Sequence, residues 1–373
     1  MSELERLVQE LCPNGVPFRE LSEVLTIKNG KDYKSFDEGD IPVYGSGGIM
    51  TYIDTSAYNK PSVLIPRKGS LDKLYYVDTP FWNVDTIFYT EINESIVVPK
   101  YIFYCLQKQH LERLNKAGGV PSLTQYVLNK VVIPVPPIEV QGEIVRILDN
   151  FTELTAELTA ELTARKKQYD YYTEHLMSFG DNVKMLTLGE IGSVKMCKRI
   201  MKAQTNTTIG IPFYKIGTFG KEPDAYITEE LFEEYKEKYS YPKKGDILIS
   251  CSGTIGRTVV FDGEPAYFQD SNIVWLEHDG TIVSNKYLLY CYKKQPWQIS
   301  TGGTIARLYN DNILKAKIPV PPIEEQERIV AILERFDVLC NDISAGLPAE
   351  IEARQKQYEY YRDKLLTFQE MSV

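Results

Sequence analysis

Apolar positions along this chain follow two periods. Short runs such as Val63-Leu64-Ile65, Thr86-Ile87-Phe88-Tyr89, Ile247-Leu248-Ile249 and Ile273-Val274-Trp275-Leu276 are β-branched or aromatic and bounded by Gly or polar residues. Such runs predict buried strands, enough for a small sheet in each half of the chain. The stretches YIFYCLQKQH (101–110) and YLLYCYKKQ (287–295) carry apolar residues at helical spacing and predict short amphipathic helices. Two longer stretches have the same period. Ile144, Ile147, Leu148, Phe151, Leu154, Leu158 and Leu162 form one apolar stripe; Ile329, Ile332, Leu333, Phe336, Leu339, Ile343 and Leu347 form the other. Each predicts a helix of about 40 residues, roughly 60 Å at the α-helical rise. Pro136-Pro137 stands at the entry of the first, where a missing N–H costs nothing, and Glu139 or Glu324-Glu325 sits in the first turn, where the helix dipole favours an anion. Gly346 and Pro348 are expected to kink or break the second helix. Two stripes of similar length predict helices that pack on each other, antiparallel.

The two halves are copies. LNKVVIPVPPIEVQGEIVRILDNF (128–151) and ILKAKIPVPPIEEQERIVAILERF (313–336) agree at fourteen of 24 positions. ARKKQYDYY (164–172) is matched by ARQKQYEYY (353–361), IPVYG (41–45) by IPFYK (211–215), VLIPRKGS (63–70) by ILISCSGT (247–254), VPFRELSEV (16–24) by VKMLTLGEI (183–191), and Gly118-Gly119 by Gly302-Gly303, in one order. A duplicated unit, each copy a globular part followed by a helix, accounts for this. It divides the chain into a first globular part at 1–132, a helical segment at 133–180, a second globular part at 181–317 and a second helical segment at 318–373.

Composition narrows the class. The 373 residues are 43% hydrophobic and 25% charged, as in water-soluble globular proteins. No apolar run is long enough to span a membrane and the first residues, MSELERLVQEL, lack a signal-peptide pattern, so a cytoplasmic protein is expected. The six cysteines (Cys12, Cys105, Cys197, Cys251, Cys291, Cys340) show no C-x-x-C pair and are expected to be buried free thiols. With only His110, His175 and His278 and no H-E-x-x-H spacing, neither a metal site nor a His-based triad is expected.

The net charge of −9 argues against a nucleic-acid partner until it is located. Residues 138–178 hold eight acidic against four basic residues and 323–364 hold ten against six, so the helical segments carry −8 of the −9. The globular parts are near neutral with basic patches. From Ile191 to Lys221 the chain has Lys195, Lys198, Arg199, Lys202, Lys215 and Lys221 with no acid; a weaker counterpart holds Lys28, Lys31 and Lys34, then Arg67 and Lys68. Ser, Thr, Asn, Gln and Tyr are interleaved (QTNTT at 204–208, YGSGG at 44–48, SCSGT at 250–254). Cations that seek phosphate, mixed with hydrogen-bonders that meet base edges, suit a DNA-reading loop; a solvated basic face has the same composition. The candidate contacts are Lys28, Lys31, Lys34, Tyr44, Ser46, Arg67, Lys68 and Ser70 in the first part, and Lys198, Arg199, Lys202, Lys215, Lys221, Ser252, Thr254 and Arg257 in the second.

Several chemistries find no motif. There is no G-x-x-x-x-G-K-[ST] for a nucleotide, no Asn/Asp-Pro-Pro-aromatic motif for a flipped base, and no Gly-rich strand–turn–helix for S-adenosylmethionine; YGSGGI (44–49) reads as a turn. No catalytic constellation emerges.

The paired IPVPPIE…Q…I…IL…F and R-[KQ]-K-Q-Y-[DE]-Y-Y segments, with duplicated globular parts before them, resemble the specificity subunit of type I restriction-modification systems across essentially the whole chain. The resemblance implies an α+β architecture: two similar mixed α/β target-recognition domains separated by two long, antiparallel coiled-coil-like helices, with internal pseudo-twofold symmetry. It implies a non-catalytic subunit that binds double-stranded DNA at a bipartite asymmetric site and binds no cofactor itself. Two methyltransferase subunits that use S-adenosylmethionine to methylate adenine, and restriction/translocase subunits that use ATP and Mg, would be its partners; a membrane would not. Half-site centres about one helical turn apart, roughly 34 Å, would suit two such readers. Residues 153–164 read ELTA three times; each copy adds four residues, roughly 6 Å of helix with little rotation of its face, as a ruler between half-sites would. A protein-binding scaffold and a self-sufficient methyltransferase are the alternatives.

Overall fold

A computed structural model describes residues 2–115, 121–180, 182–299, 306–342 and 344–371. The glycine pairs Gly118-Gly119 and Gly302-Gly303, and Ile343 of the second stripe, lie outside the described residues. The chain divides into two compact units, one of residues 1–161 with 348–373 and the other of residues 162–347. Each therefore combines one globular part with helical segments from both copies.

In the first unit, strands Leu25–Asn29, Ile87–Ile92, Ser62–Pro66 and Tyr75–Val77 lie side by side in that order as an antiparallel sheet. A second sheet sets Gly48–Ile53 antiparallel to Ile41–Gly45, which runs parallel to Trp82–Asn83. Phe18–Glu20 pairs with Val132–Pro134. The second unit repeats all three sheets: Ser193–Lys195, Ile273–Glu277, Ile247–Ser250 and Thr258–Val260; Tyr226–Ile227, Ile211–Tyr214 and Tyr267–Phe268; Lys184–Thr187 with Lys317–Val320. The four β-branched runs are the strands expected, with Val63, Leu64, Ile65, Ile249, Ile273 and Val274 excluded from water. The two amphipathic stretches form helices Pro99–Lys108 and Asn285–Lys293, and their buried tyrosines (Tyr101, Tyr104; Tyr287, Tyr290, Tyr292) fill each core.

The duplicated heptapeptide is a joint. Ile133 and Ile318 are buried in their strands, and the next carbonyl, of Pro134 or Pro319, accepts a hydrogen bond from Tyr101 or Tyr287 at 3.1 Å in each case. The glutamine three residues into the following helix is fully buried in both copies. Gln141 Oε1 accepts from Val98 N (2.8 Å) while Nε2 donates to Ile96 O (3.0 Å) and Pro136 O (2.7 Å). Gln326 does the same with Ser284 N, Ile282 O and Pro321 O. A side-chain amide that satisfies three backbone groups at once ties the helix start to the globular part.

The first long helix runs Ile138–Leu176 without interruption. Its ELTA threonines tolerate the helix because their hydroxyls fold back on carbonyls one turn earlier: Thr155 on Phe151 O (2.9 Å) and Thr159 on Thr155 O (2.7 Å). The apolar stripe is not uniformly covered, since Ile144 and Leu148 are fully buried whereas Leu154 is 36% exposed. The second segment breaks into Ile323–Asn341 and Leu347–Leu365. The break follows from Gly346: a Cβ there would lie 2.4 Å from Val338 O. Pro348 enters the next helix in its first turn, where it lacks nothing. The helix contacts are antiparallel, as expected: Phe151 stacks on Tyr361 at 5.4 Å in the first unit, and Tyr172 and Tyr169 meet Phe336 at 5.4 and 6.1 Å in the second. Lys108 closes the first unit, donating from Nζ to Asp363 O, Leu366 O and Thr367 Oγ1 at the end of the last helix. All six cysteines are free and buried.

Candidate nucleic-acid interface

In each unit, loops at one end of the two larger sheets converge on a short turn. In the first unit this turn is Asp85–Thr86. Val84 N donates to Tyr44 O (3.0 Å), Arg67 N and Lys68 N both donate to Thr86 O (2.9 and 3.2 Å), and Thr86 Oγ1 accepts from Ser46 N (3.3 Å). Lys68 Nζ lies 3.8 Å from the Asp85 carboxylate, and the Arg67 guanidinium sits over the Phe88 ring at 5.8 Å. Lys31 joins the same cluster through its backbone, which donates to Asn83 O and accepts from Trp82 Nε1, both at 2.9 Å. The close approach needs Gly30, where a Cβ would stand 2.1 Å from Val84 O. Tyr44, Ser46, Arg67, Lys68 and Lys31 are thus brought together. Ser70 sits just beyond Lys68 and Gly69 in the same loop, whose Gly69 N reaches Pro121 O.

Lys28 and Lys34 are placed differently. Lys28 sits in the four-stranded sheet and pairs with Glu91 at 3.4 Å; Lys195 pairs with Glu277 at 3.5 Å from the matching position of the second unit. A paired sheet lysine repeated in both copies reads as part of the fold. Lys34 is exposed on a turn organised by the Asp32 carboxylate, which accepts from Tyr33 N and Lys34 N.

The second unit builds the equivalent turn from Gln269 to Asn272. Gln269 N donates to Tyr214 O (2.9 Å), as Val84 N does to Tyr44 O, so Asp270 follows where Asp85 follows in the first unit. Asp270 accepts from Arg199 Nε at 2.8 Å. Ser252 Oγ donates to Asn272 Oδ1 (2.8 Å), Ile216 N to Gln269 Oε1 (2.9 Å), and Arg257 Nη1 to Phe219 O (2.9 Å). The Thr254 carbonyl accepts from Ser250 Oγ and closes the loop that presents Ser252. Lys215 lies at the base of the neighbouring loop and pairs with Asp224 at 2.8 Å. Lys198 rests on the Tyr239 ring at 5.1 Å, beside Arg199 in an open groove. Lys202 and Lys221 are exposed on flanking segments, Lys221 at the rim of an aromatic pocket formed by Tyr214, Phe219, Phe261 and Phe268. Arg199 and Ser252 therefore meet at this turn, with Lys198 and Lys215 beside it, while Thr254 and Arg257 lie in the loop that presents Ser252 and the Arg257 side chain is directed to Phe219 O.

Four residues at these turns escaped the reading of the sequence: Asp85, Asp270, Asn272 and Arg307. Arg307 Nη2 donates to Ser271 O at 3.0 Å, and its guanidinium lies 5.9 Å from the Tyr309 ring. Asp85 and Asp270 carry the charge opposite to that of a phosphate contact, so composition does not mark them. Arg307 is a lone cation in ARLYN, 50 residues from the nearest candidate, Arg257, and the backbone bond Leu308 N→Cys251 O, matched in the first unit by Leu123 N→Arg67 O, brings its segment to the turn.

Known proteins resemble this chain. A family model described as the type I restriction modification DNA specificity domain matches twice, at residues 13–165 and 180–353. A protein of Haemophilus influenzae named as a type I restriction enzyme specificity subunit is 48% identical over 381 residues, covering 98% of both chains. The EcoR124I/EcoR124II specificity subunit of Escherichia coli is 32% identical over 404 residues, covering 99% of this chain and 97% of that one. Among solved structures, the S subunit of the type I restriction-modification system of M. genitalium has a like fold, with a TM-score of 0.60 at 17% identity over 94% of this chain and 96% of its own.

Proposed function

This chain belongs to the type I restriction-modification DNA specificity family, and on that footing we propose that each of its units reads one half of a bipartite, asymmetric double-stranded DNA site. The observation that carries the reading is the repeated turn. Asp85–Thr86 and Gln269–Asn272 are anchored by matching backbone bonds, Val84 N→Tyr44 O with Gln269 N→Tyr214 O and Arg67 N→Thr86 O with Cys251 N→Asn272 O, yet different side chains stand at them: Ser46, Arg67 and Lys68 in one, Arg199, Ser252 and Arg307 in the other. Equal scaffolds fix where a loop meets DNA; unequal side chains make the two halves of the site differ.

Partition of charge supports the same reading. The helical segments hold most of the negative charge and would be repelled by phosphate, which leaves contact to the cationic loops. Their flanks carry exposed tyrosines at matching positions, Tyr171 at 57% and Tyr360 at 62% exposure. Aromatic residues presented twice on acidic helices suit a protein partner taken up in two copies. In this proposal the chain supplies recognition without catalysis. Two methyltransferase subunits bring S-adenosylmethionine and methylate adenine, and restriction/translocase subunits bring ATP and Mg. Genome-wide mapping of methylated adenines in a host expressing this chain with its methyltransferase is the test. A split motif with an unread spacer and unlike halves is expected; an unsplit or palindromic motif would overturn the proposal.

A further inference from the structure

Two arginines of the second unit are held by consecutive residues of one turn. Arg199 Nε donates to Asp270 Oδ2 at 2.8 Å; the Arg199 side chain is 65% exposed and that of Asp270 only 15%. The next residue, Ser271, takes a left-handed conformation (φ 59°), and its carbonyl accepts from Arg307 Nη2 at 3.0 Å. Met196 is shared by the two open grooves that meet here, one lined by Lys198, Arg199, Tyr239 and Asp270, the other by Ser271, Arg307 and Tyr309.

A cation that only neutralises phosphate gains nothing from a neighbouring carboxylate, which offsets its charge. A guanidinium that reads a base needs both an orientation and donors left over. Each arginine spends one of its five N–H donors on the turn, so the fork can still meet two acceptors side by side. Guanine alone offers that pair, O6 and N7, on the major-groove edge. We infer that Arg199 and Arg307 read guanines in the half-site of the second unit, with Asp270 as the positioning residue of Arg199. The inference rests on the specificity reading and adds a base identity to it. In the first unit Asp85 meets Lys68 instead, and Ser122 stands at the register of Arg307, so that half-site is not bound to the same bases.

The test uses the full-length chain coexpressed with its methyltransferase, with methylated sites mapped genome-wide. Wild type should give a bipartite motif with G·C pairs in at least one half. Arg307→Ala and Arg199→Ala should each turn one G·C position degenerate, both in that same half, with discrimination there falling roughly 5- to 150-fold. The other half should keep its full consensus, which reports an assembled complex. Asp270→Asn should relax the position that Arg199→Ala relaxes, an effect that a purely structural residue would not confine to one base. If Arg307→Ala abolishes methylation, Arg307→Gln decides: an amide presents a donor beside an acceptor and suits adenine rather than guanine, so relaxation or a shift towards A·T at that position supports the inference and an intact consensus refutes it. Slower methylation of an unchanged motif, or degeneracy spread over both halves, would also overturn it. A wild-type motif that is not bipartite would instead remove the specificity reading itself.

Discussion

Gln141→Ala perturbs the joint between the first globular part and its helix. The amide is fully buried and serves three backbone groups: Val98 N, Ile96 O and Pro136 O, at 2.8, 3.0 and 2.7 Å. Alanine removes the partner of all three, of which Pro136 O is buried and the other two are partly buried. A buried backbone group left unpaired costs about 1–3 kcal/mol, less for a carbonyl that retains some compensation, so the sum is about 3–5 kcal/mol. For a unit of this size that corresponds to a fall in melting temperature of roughly 8–15 °C. The assay is thermal unfolding of the variant beside wild type, with hydrogen–deuterium exchange of the peptide containing Val98. Exchange should accelerate there and stay unchanged around Ser284, which Gln326 serves in the other unit. Gln141→Glu should also destabilise, because a carboxylate keeps the bond from Val98 N but faces two carbonyls; the loss should lessen as the pH falls and the added carboxyl gains a proton. A melting temperature within about 2 °C of wild type, with Val98 still protected, would refute the idea that this amide holds the joint.

Lys202→Ala, which removes an exposed cation of the second unit, should weaken binding of the assembled complex to all DNA sequences alike and lower the salt slope by about one, whereas Lys28→Ala, which removes a sheet ion pair with Glu91, should leave that slope unchanged; fluorescence anisotropy across a salt series distinguishes them. Deleting one ELTA unit from 153–164 should shift the length of the unread spacer and leave both half-sites intact, a result read directly from the methylated motif. Burial pushes the thiols of Cys105, Cys197 and Cys291 up to about 12 and that of Cys251 up to about 11. At pH 8 the folded protein should therefore react with a disulfide exchange reagent far more slowly than free cysteine, and all six thiols should react once it is unfolded.

Much of this protein could be read without coordinates. Strand runs, helix periods, the duplication and the uneven charge are local or pairwise properties of the string, and duplication tests each reading twice. Even the break near Gly346 was legible, since Gly followed by Pro rarely continues a helix. Tertiary structure decided three things. It explained the glutamine of the repeated segment, whose role depends on a backbone N–H and a carbonyl more than 40 residues away. It divided the basic residues, tying Lys28 to a sheet acid while gathering Arg67 and Lys68 at one turn and Arg199 at the other. And it brought in Asp85, Asp270 and Arg307, which no local pattern marks. The physical reason is common to all three. Hydrophobic periodicity records which face of an element is buried, a short-range property. The partners of a polar side chain are set by which distant backbone groups the fold leaves unpaired, and those become known only when the chain has closed on itself.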